Sequence, residues 1–275
     1  MGKMAMRRDA GRHQSLLLQV ARDAASQSLL LEHLESLATI DDGILQKRVL
    51  KEVIRSYVSL ERRVDALLKN TLPASVAEAI KFEGRFVPRR YRCSILFTDF
   101  VGFTHICEAV SSDTTVEMLG TVFTAFDDIV SRHHGTKIKT IGDAYMAVFG
   151  APESRPDHAV CAIRAARDML SFMAGFNRNA AHPFHMRAGI HSGEVTAGVV
   201  GRERMQFDVF GDNVNIAARF EAAGAPDRIN VSEDTHLAAQ SDFVFEARGE
   251  IALKNKGRMR AYFVAEEHRP DSGTS

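Results

Sequence analysis

An α+β fold of ferredoxin-like plan is predicted by the order of elements in this sequence. Three observations carry it: an apolar run ending at Asp99 and followed by a helical stripe, two short strand-like runs meeting at Gly142-Asp143, and a second helix followed by further strand-like segments. Ahead of this block the apolar spacing is helical. The expected divisions are an N-terminal helical region (1–48), a coiled-coil stalk with linker (49–85), the α+β domain (86–268) and a tail (269–275).

Residues 13 to about 40 are rich in Leu, Ala, Gln and Glu at helical spacing, which predicts an amphipathic helix broken near Asp41-Asp42-Gly43. From Leu50 the pattern sharpens. Leu50, Val53, Tyr57, Leu60, Val64 and Leu67 alternate steps of three and four, the a/d rhythm of a left-handed coiled coil. The helix either packs back on its own chain or forms a parallel dimer stalk, and the second reading is preferred because it runs into Leu72-Pro73-Ala74-Ser75. There Pro73 interrupts one helix and Ser75 is placed to cap the next.

After the basic run Arg85 to Arg92, Cys93 to Asp99 reads as a strand buried on both faces. A turn at Val101-Gly102-Phe103-Thr104 leads to a helix over Thr114 to His133, whose Val116, Leu119, Phe123, Phe126 and Val130 form an expected core stripe. Thr136 to Ile141 and Ala144 to Phe149 form a hairpin. A helix spans Asp157 to Phe176, and strands follow at 184–190, 194–200 and 204–210. A helix over Asn213 to Ala223 precedes short strands near Ile229, Phe243 and Tyr262.

Composition narrows the function classes. With 45% hydrophobic and 25% charged residues among 275, the chain can bury a core, and 35 Lys plus Arg against 35 Asp plus Glu gives no global charge to attract nucleic acid. No membrane span is expected, since the apolar run Leu16-Leu17-Leu18 is soon interrupted by Arg22 and Asp23. Cys93, Cys107 and Cys161 form no framework and are expected as structural filler in a cytoplasmic protein. His133, His134, His182, His185 and His191 lack the spacing of a zinc site and read as structural or surface histidines.

The chemistry is concentrated in two stretches, Ile95 to Thr104 and Lys137 to Met146. Each delivers one carboxylate, Asp99 or Asp143, to a glycine-bearing turn. A pair of carboxylates brought together suits divalent metal and phosphate chemistry. At five places in unbroken order the sequence resembles the class III nucleotidyl cyclases: Phe97-Thr98-Asp99-Phe100-Val101-Gly102-Phe103-Thr104, Lys139-Thr140-Ile141-Gly142-Asp143, His191-Ser192-Gly193-Glu194-Val195, Gln206 through Arg219, and Lys254-Asn255-Lys256-Gly257. The resemblance covers roughly residues 71 to 265.

The resemblance implies a cyclase catalytic domain converting ATP to 3′,5′-cyclic AMP and pyrophosphate. Asp99, Asp143 and the Phe100 carbonyl are then expected to bind two Mg²⁺ or Mn²⁺ ions, and the amides of Val101, Gly102, Phe103 and Thr104 to receive phosphates. Lys139 and Asp208 match the base-selecting pair of adenylyl cyclases. Lys139 only donates and Asp208 only accepts, which fits the N1 acceptor and N6 donor of adenine and opposes guanine. Asn215 is expected to orient the ribose, Arg219 to stabilise charge at the α-phosphate, and Lys254 to grip the terminal phosphates. Asn255 departs from the family's usual glycine there, leaving Lys256 as a substitute.

One copy of each motif implies a head-to-tail homodimer with two shared sites, Asp99, Lys139 and Asp143 from one subunit and Asp208, Asn215, Arg219 and Lys254 from the other. A guanylate cyclase and a non-catalytic nucleotide-binding regulatory module are the competing readings. No sensor motif precedes the stalk, which leaves room for an upstream sensor or regulator.

Overall fold

The computed structural model describes residues 43–178, 180, 182–201, 204–253 and 256–268. The helix expected over residues 13–40, the tail and Lys254 lie outside them. The chain divides into two units, residues 1–70 and 71–275. In the first, helix α1 (Gly43–Thr71) runs for 29 residues. Leu50, Val53 and Tyr57 are half-buried, whereas Leu60, Val64 and Leu67 are exposed.

The second unit opens with α2 (Ala74–Glu83). Extended Pro73 occupies its N-cap position, accepting a 2.9 Å hydrogen bond from the Ala77 amide, so the helix starts ahead of the expected cap. Ser75 instead donates its hydroxyl to Glu153 at 2.6 Å.

The sheet order is β2-β3-β1-β4-β6-β8-β7, with β5 also paired to β4. Its ferredoxin-like half consists of β1 (Arg89–Val101), the hairpin β2 (Gly135–Ile141) and β3 (Ala144–Phe149), and β4 (His185–Val200). The neighbouring pairs among these four are antiparallel. Between β1 and β2 lie α3 (Phe103–Ala109) and α4 (Ser112–Arg132); α5 (His158–Asn177) joins β3 to β4. β5 (Gln206–Phe210) and α6 (Asp212–Ala222) follow, then β6 (Ile229–Ser232), α7 (Glu233–Ala239) and the hairpin β7 (Phe243–Leu253) and β8 (Gly257–Glu267).

The main core lies between one sheet face and α4 with α5. Leu96 and Phe100 of β1 and Tyr145 and Phe149 of β3 meet Phe126, Ile163 and Met169 there, all buried. Full burial of such side chains contributes about 1.5–3 kcal/mol each. Phe100 packs edge-on against Phe184 at 4.7 Å between ring centroids, which anchors the end of β1 where the site residues cluster. Ser111 caps α4 by accepting from the Thr114 amide.

Several expectations are corrected. The strands expected at 184–190 and 194–200 are one, because His191, Ser192 and Gly193 pair with Ile95, Ser94 and Cys93 without a break in register. Val116 is 69% exposed, so the stripe of α4 starts a turn later, at Leu119, which packs partly buried against the core ahead of Val122 and Phe126. The strands near Phe243 and Tyr262 are long, 11 residues each, because they pair with one another as a hairpin. Cys93 and Cys161 are buried as filler, but Cys107 is exposed on α3.

Candidate active site

Alternation along β1 turns Leu96 and Phe100 toward α4 and α5, which sends Asp99 to the opposite face, the one covered by α6. Asp99 stands in register with Arg187 of β4. The Arg187 guanidinium donates from Nη2 to Asp99 Oδ2 at 2.8 Å and from Nε to Glu221 Oε1 of α6 at 3.0 Å. One cation thus ties the two carboxylates together.

Asp143 lies in the two-residue turn between β2 and β3, where Gly142 takes a left-handed φ of 64°. Burial pushes its carboxyl above the usual carboxylate range, its own backbone hydrogen bond opposes this, and the nearby Asp99 charge adds to the rise. Burial likewise pushes the Glu221 carboxyl up to about 7, against the pull of Arg187. The site therefore gathers more negative charge than its single guanidinium balances. Among the described residues no three His, Cys, Asp or Glu side chains are placed to hold a metal ion. A carboxylate pair suits Mg²⁺ or Mn²⁺ nonetheless, since such ions draw their remaining oxygens from water and phosphate.

A bulge decides where Lys139 points. Lys137 pairs with Ala147 and Lys139 with Met146, so Ile138 is an extra residue in β2. Without it the two lysines would share one face. Instead Lys137 reaches Asp127 of α4 at 2.8 Å and lies over the Tyr145 ring, while Lys139 emerges on the other face. There its Nζ donates to Asp208 Oδ2 of β5 at 2.6 Å. Asp208 is buried, and its other oxygen accepts from the Val209 amide at 2.9 Å, which fixes the carboxylate plane.

This contact corrects the expected division of residues between subunits: Lys139 and Asp208 meet within one chain. The hairpin β2–β3 and the strand β5 lie on either side of β1 and β4, and the bulge directs Lys139 across that face. On α6, Asn215 is exposed and Arg219 half-buried, four residues apart and on one side of the helix. Lys256 is held by the Asp212 carboxylate in the first turn of α6, so it does not stand free as a replacement for Lys254. The turn Val101 to Thr104 is divided between the end of β1 and the start of α3, with Gly102 at a left-handed φ of 72°.

The sequence reading missed Arg187 and Glu221. Arg187 lies four residues before His191 and carries no motif signal of its own; only strand register sets it opposite Asp99. Three of the five histidines singled out have side-chain partners: His133 bonds Asp168 at 2.9 Å, His185 bonds Asp227, and His191 bonds both Ser232 and Asn213.

A family model for the adenylate and guanylate cyclase catalytic domain matches residues 87–266. An adenylate cyclase of Mycobacterium tuberculosis is 38% identical over 220 residues, covering 78% of this chain and 50% of that protein. Guanylate cyclase soluble subunit beta-2 of Rattus norvegicus is 36% identical over 255 residues, covering 90% of this chain and 37% of that protein. The chain thus spans half or less of the length of these curated relatives. The guanylate cyclase domain of RhGC from Catenaria anguillulae, solved with GTP, superposes with a TM-score of 0.63 at 32% identity, over 66% of this chain and 100% of that one.

Proposed function

Because the chain belongs to the family of adenylate and guanylate cyclase catalytic domains, we propose that it converts ATP to 3′,5′-cyclic AMP and pyrophosphate, at sites shared between two copies arranged head to tail. The Lys139–Asp208 pair carries the choice of base. An adenine edge inserted between them accepts at N1 from Lys139 and donates from its amino group to Asp208, whereas guanine presents a donor to a donor and an acceptor to an acceptor. A site with such fixed, half-buried polar groups rejects the mismatched base strongly, because the groups would be left unpaired.

Asp99, Asp143 and the Phe100 carbonyl would hold two Mg²⁺ or Mn²⁺ ions. Such ions acidify a ribose 3′-hydroxyl and offset phosphate charge when bound. The amides of Val101, Gly102, Phe103 and Thr104 take phosphate oxygens. Arg187 keeps its bond to Glu221 and offers Nη2 to the triphosphate. The partner copy supplies its own Lys139–Asp208 pair to this site, together with the face of α6 bearing Asn215 and Arg219 over the ribose and α-phosphate, and Lys254 on the terminal phosphates. Ile141, Val200, Met205 and Phe210 are exposed on the two hairpins, an apolar surface suited to a second copy. The exposed Leu60, Val64 and Leu67 of α1 support its reading as a coiled-coil stalk.

Product formation tests this with the purified chain, ATP or GTP, Mg²⁺ or Mn²⁺, over a range of protein concentration. Cyclic AMP with specific activity rising with concentration is the expected result. Turnover of GTP alone would overturn the base assignment, and nucleotide binding without turnover would favour the regulatory module.

A further inference from the structure

Helix α6 carries Asn215 and Arg219, and its seat on β4 is built from three alternate residues of one strand face, Gly189, His191 and Gly193. A Cβ on Gly189 would meet the Glu221 backbone nitrogen at 2.0 Å, and one on Gly193 would meet the Asn213 amide group at 2.5 Å. The helix thus lies on bare backbone at both ends. Between these points the His191 ring stacks on Phe220, with 6.2 Å between centroids and 7° between planes.

Hydrogen-bond chemistry fixes which nitrogen of His191 carries the proton. Asn213 Nδ2 donates to the Glu194 carbonyl at 2.7 Å, which can only accept, so Asn213 Oδ1 faces the ring. His191 Nε2, 2.9 Å from that oxygen, must then be the donor. In the neutral ring Nδ1 accepts, and its partner is the Ser232 hydroxyl at 2.8 Å.

Ser232 does not end the chain. Its oxygen lies 3.2 Å from the Thr235 hydroxyl, which lies 3.0 Å from that of Ser192, which lies 2.6 Å from that of Ser94, which lies 2.8 Å from His158 Nδ1. All six side chains are buried. Each hydroxyl has one proton to give. Whether Thr235 gives its own to Ser232 or to the Ile190 carbonyl 3.4 Å away, it is left to accept from Ser192, and the remaining links run the same way back to His158. Burial holds both imidazoles below their ordinary pKa, which keeps them neutral near pH 7.

We infer that His191 is a positioning residue for α6, locked as its Nε2–H tautomer by a one-way chain of four hydroxyls that starts at an Nδ1–H tautomer of His158. The role in turnover rests on the cyclase reading above; the tautomers and the seating of α6 do not. The chain joins the α5 side of the sheet to the helix that bears Asn215 and Arg219, and it leaves His191 no freedom to release Asn213.

Long-range nitrogen–proton correlation on the full chain labelled with ¹⁵N-histidine, at slightly alkaline pH, reads both tautomers directly. Nε2–H for His191 and Nδ1–H for His158 are expected, and Nδ1–H for His191 would overturn the inference whether or not the chain forms a cyclic nucleotide. Two variants then separate positioning from packing. Gln at this site can still reach Asn213 with a donor, whereas the shorter Asn cannot. His191→Asn is expected to speed hydrogen exchange of the α6 amides and to lower kcat by about ten- to a hundredfold with little change in KM for ATP, and His191→Gln to restore most of both. Equal effects of the two variants on exchange would sink it. If the wild-type chain forms no cyclic nucleotide while tautomers and exchange behave as expected, the cyclase reading fails and the seat of α6 stands.

Discussion

Lys139 and Asp208, 69 residues apart in sequence, form an ion pair of 2.6 Å inside a single chain. Both halves of the proposed base-selecting pair therefore travel together into whichever site they serve, and this has a consequence for mixed dimers. A Lys139→Ala chain mixed with an Asp208→Ala chain leaves a broken pair in both sites of the heterodimer, so activity stays low. A Lys139→Ala chain mixed with an Asp99→Asn chain places both lesions in one site and leaves the other intact. Statistical mixing should then recover about a quarter of wild-type activity. Recovery with the first mixture and not the second would show that the pair is split between copies.

Base choice itself should follow the charge of position 139. Lys139→Glu sets a second carboxylate beside buried Asp208, which opposes the adenine pattern and adds like-charge repulsion. The expected fall in kcat/KM for ATP is about a hundredfold or more, by the cost of leaving buried polar groups unpaired. Adding Asp208→Ser removes the repulsion and should raise the GTP to ATP ratio. Kinetics on both nucleotides check it, and an unchanged ATP preference would remove the pair from any role in selection.

The seat of α6 predicts a stability effect at Gly189. A methyl there would lie 2.0 Å from the Glu221 nitrogen and 2.4 Å from its Cα, atoms of backbone that cannot turn aside. Gly189→Ala should force α6 off β4 and cost about 1–3 kcal/mol or more, read from the urea midpoint at constant m-value. Gly120, on α4 with open space around it, is the control: Gly120→Ala should be neutral or slightly stabilising.

The chain's periodicities made the ferredoxin-like half legible, because strand and helix there bury one face each and their apolar spacing follows. Asp99, Asp143, Lys139 and Asp208 could be picked out by motif. What the motif could not give was the side of the sheet. Lys137 and Lys139 look equivalent in sequence, and only the extra residue Ile138, visible once β2 is paired with β3, sends them to opposite faces. Arg187 and Glu221 were invisible for a related reason, since register and helix seating bring them to Asp99 and neither property is local. The single strand β4 was hidden by His191-Ser192-Gly193, a polar stretch left between two expected strands, which serves as a seat for α6 and a link in a buried hydrogen-bond chain.

Glu221 yields a prediction with a definite sign. Its carboxyl is pushed from 4.5 to about 7 by burial, with Arg187 opposing and Asp99 adding to the rise. A carboxyl raised on folding holds a proton in the folded state at pH values where the unfolded chain has lost it. Its contribution to stability is therefore fully present below about 4.5, is lost as pH rises through about 7, and is flat above that. Glu221→Gln keeps the shape of the protonated form and removes the titration. Urea midpoints of the two proteins across this range should start close together at the acid end and diverge with rising pH, the variant becoming the more stable of the pair above neutrality. The opposite divergence would mean that the ion pair with Arg187 outweighs the cost of burying the charge. In that case Glu221 is ionised in the folded protein and Arg187 is anchored by charge.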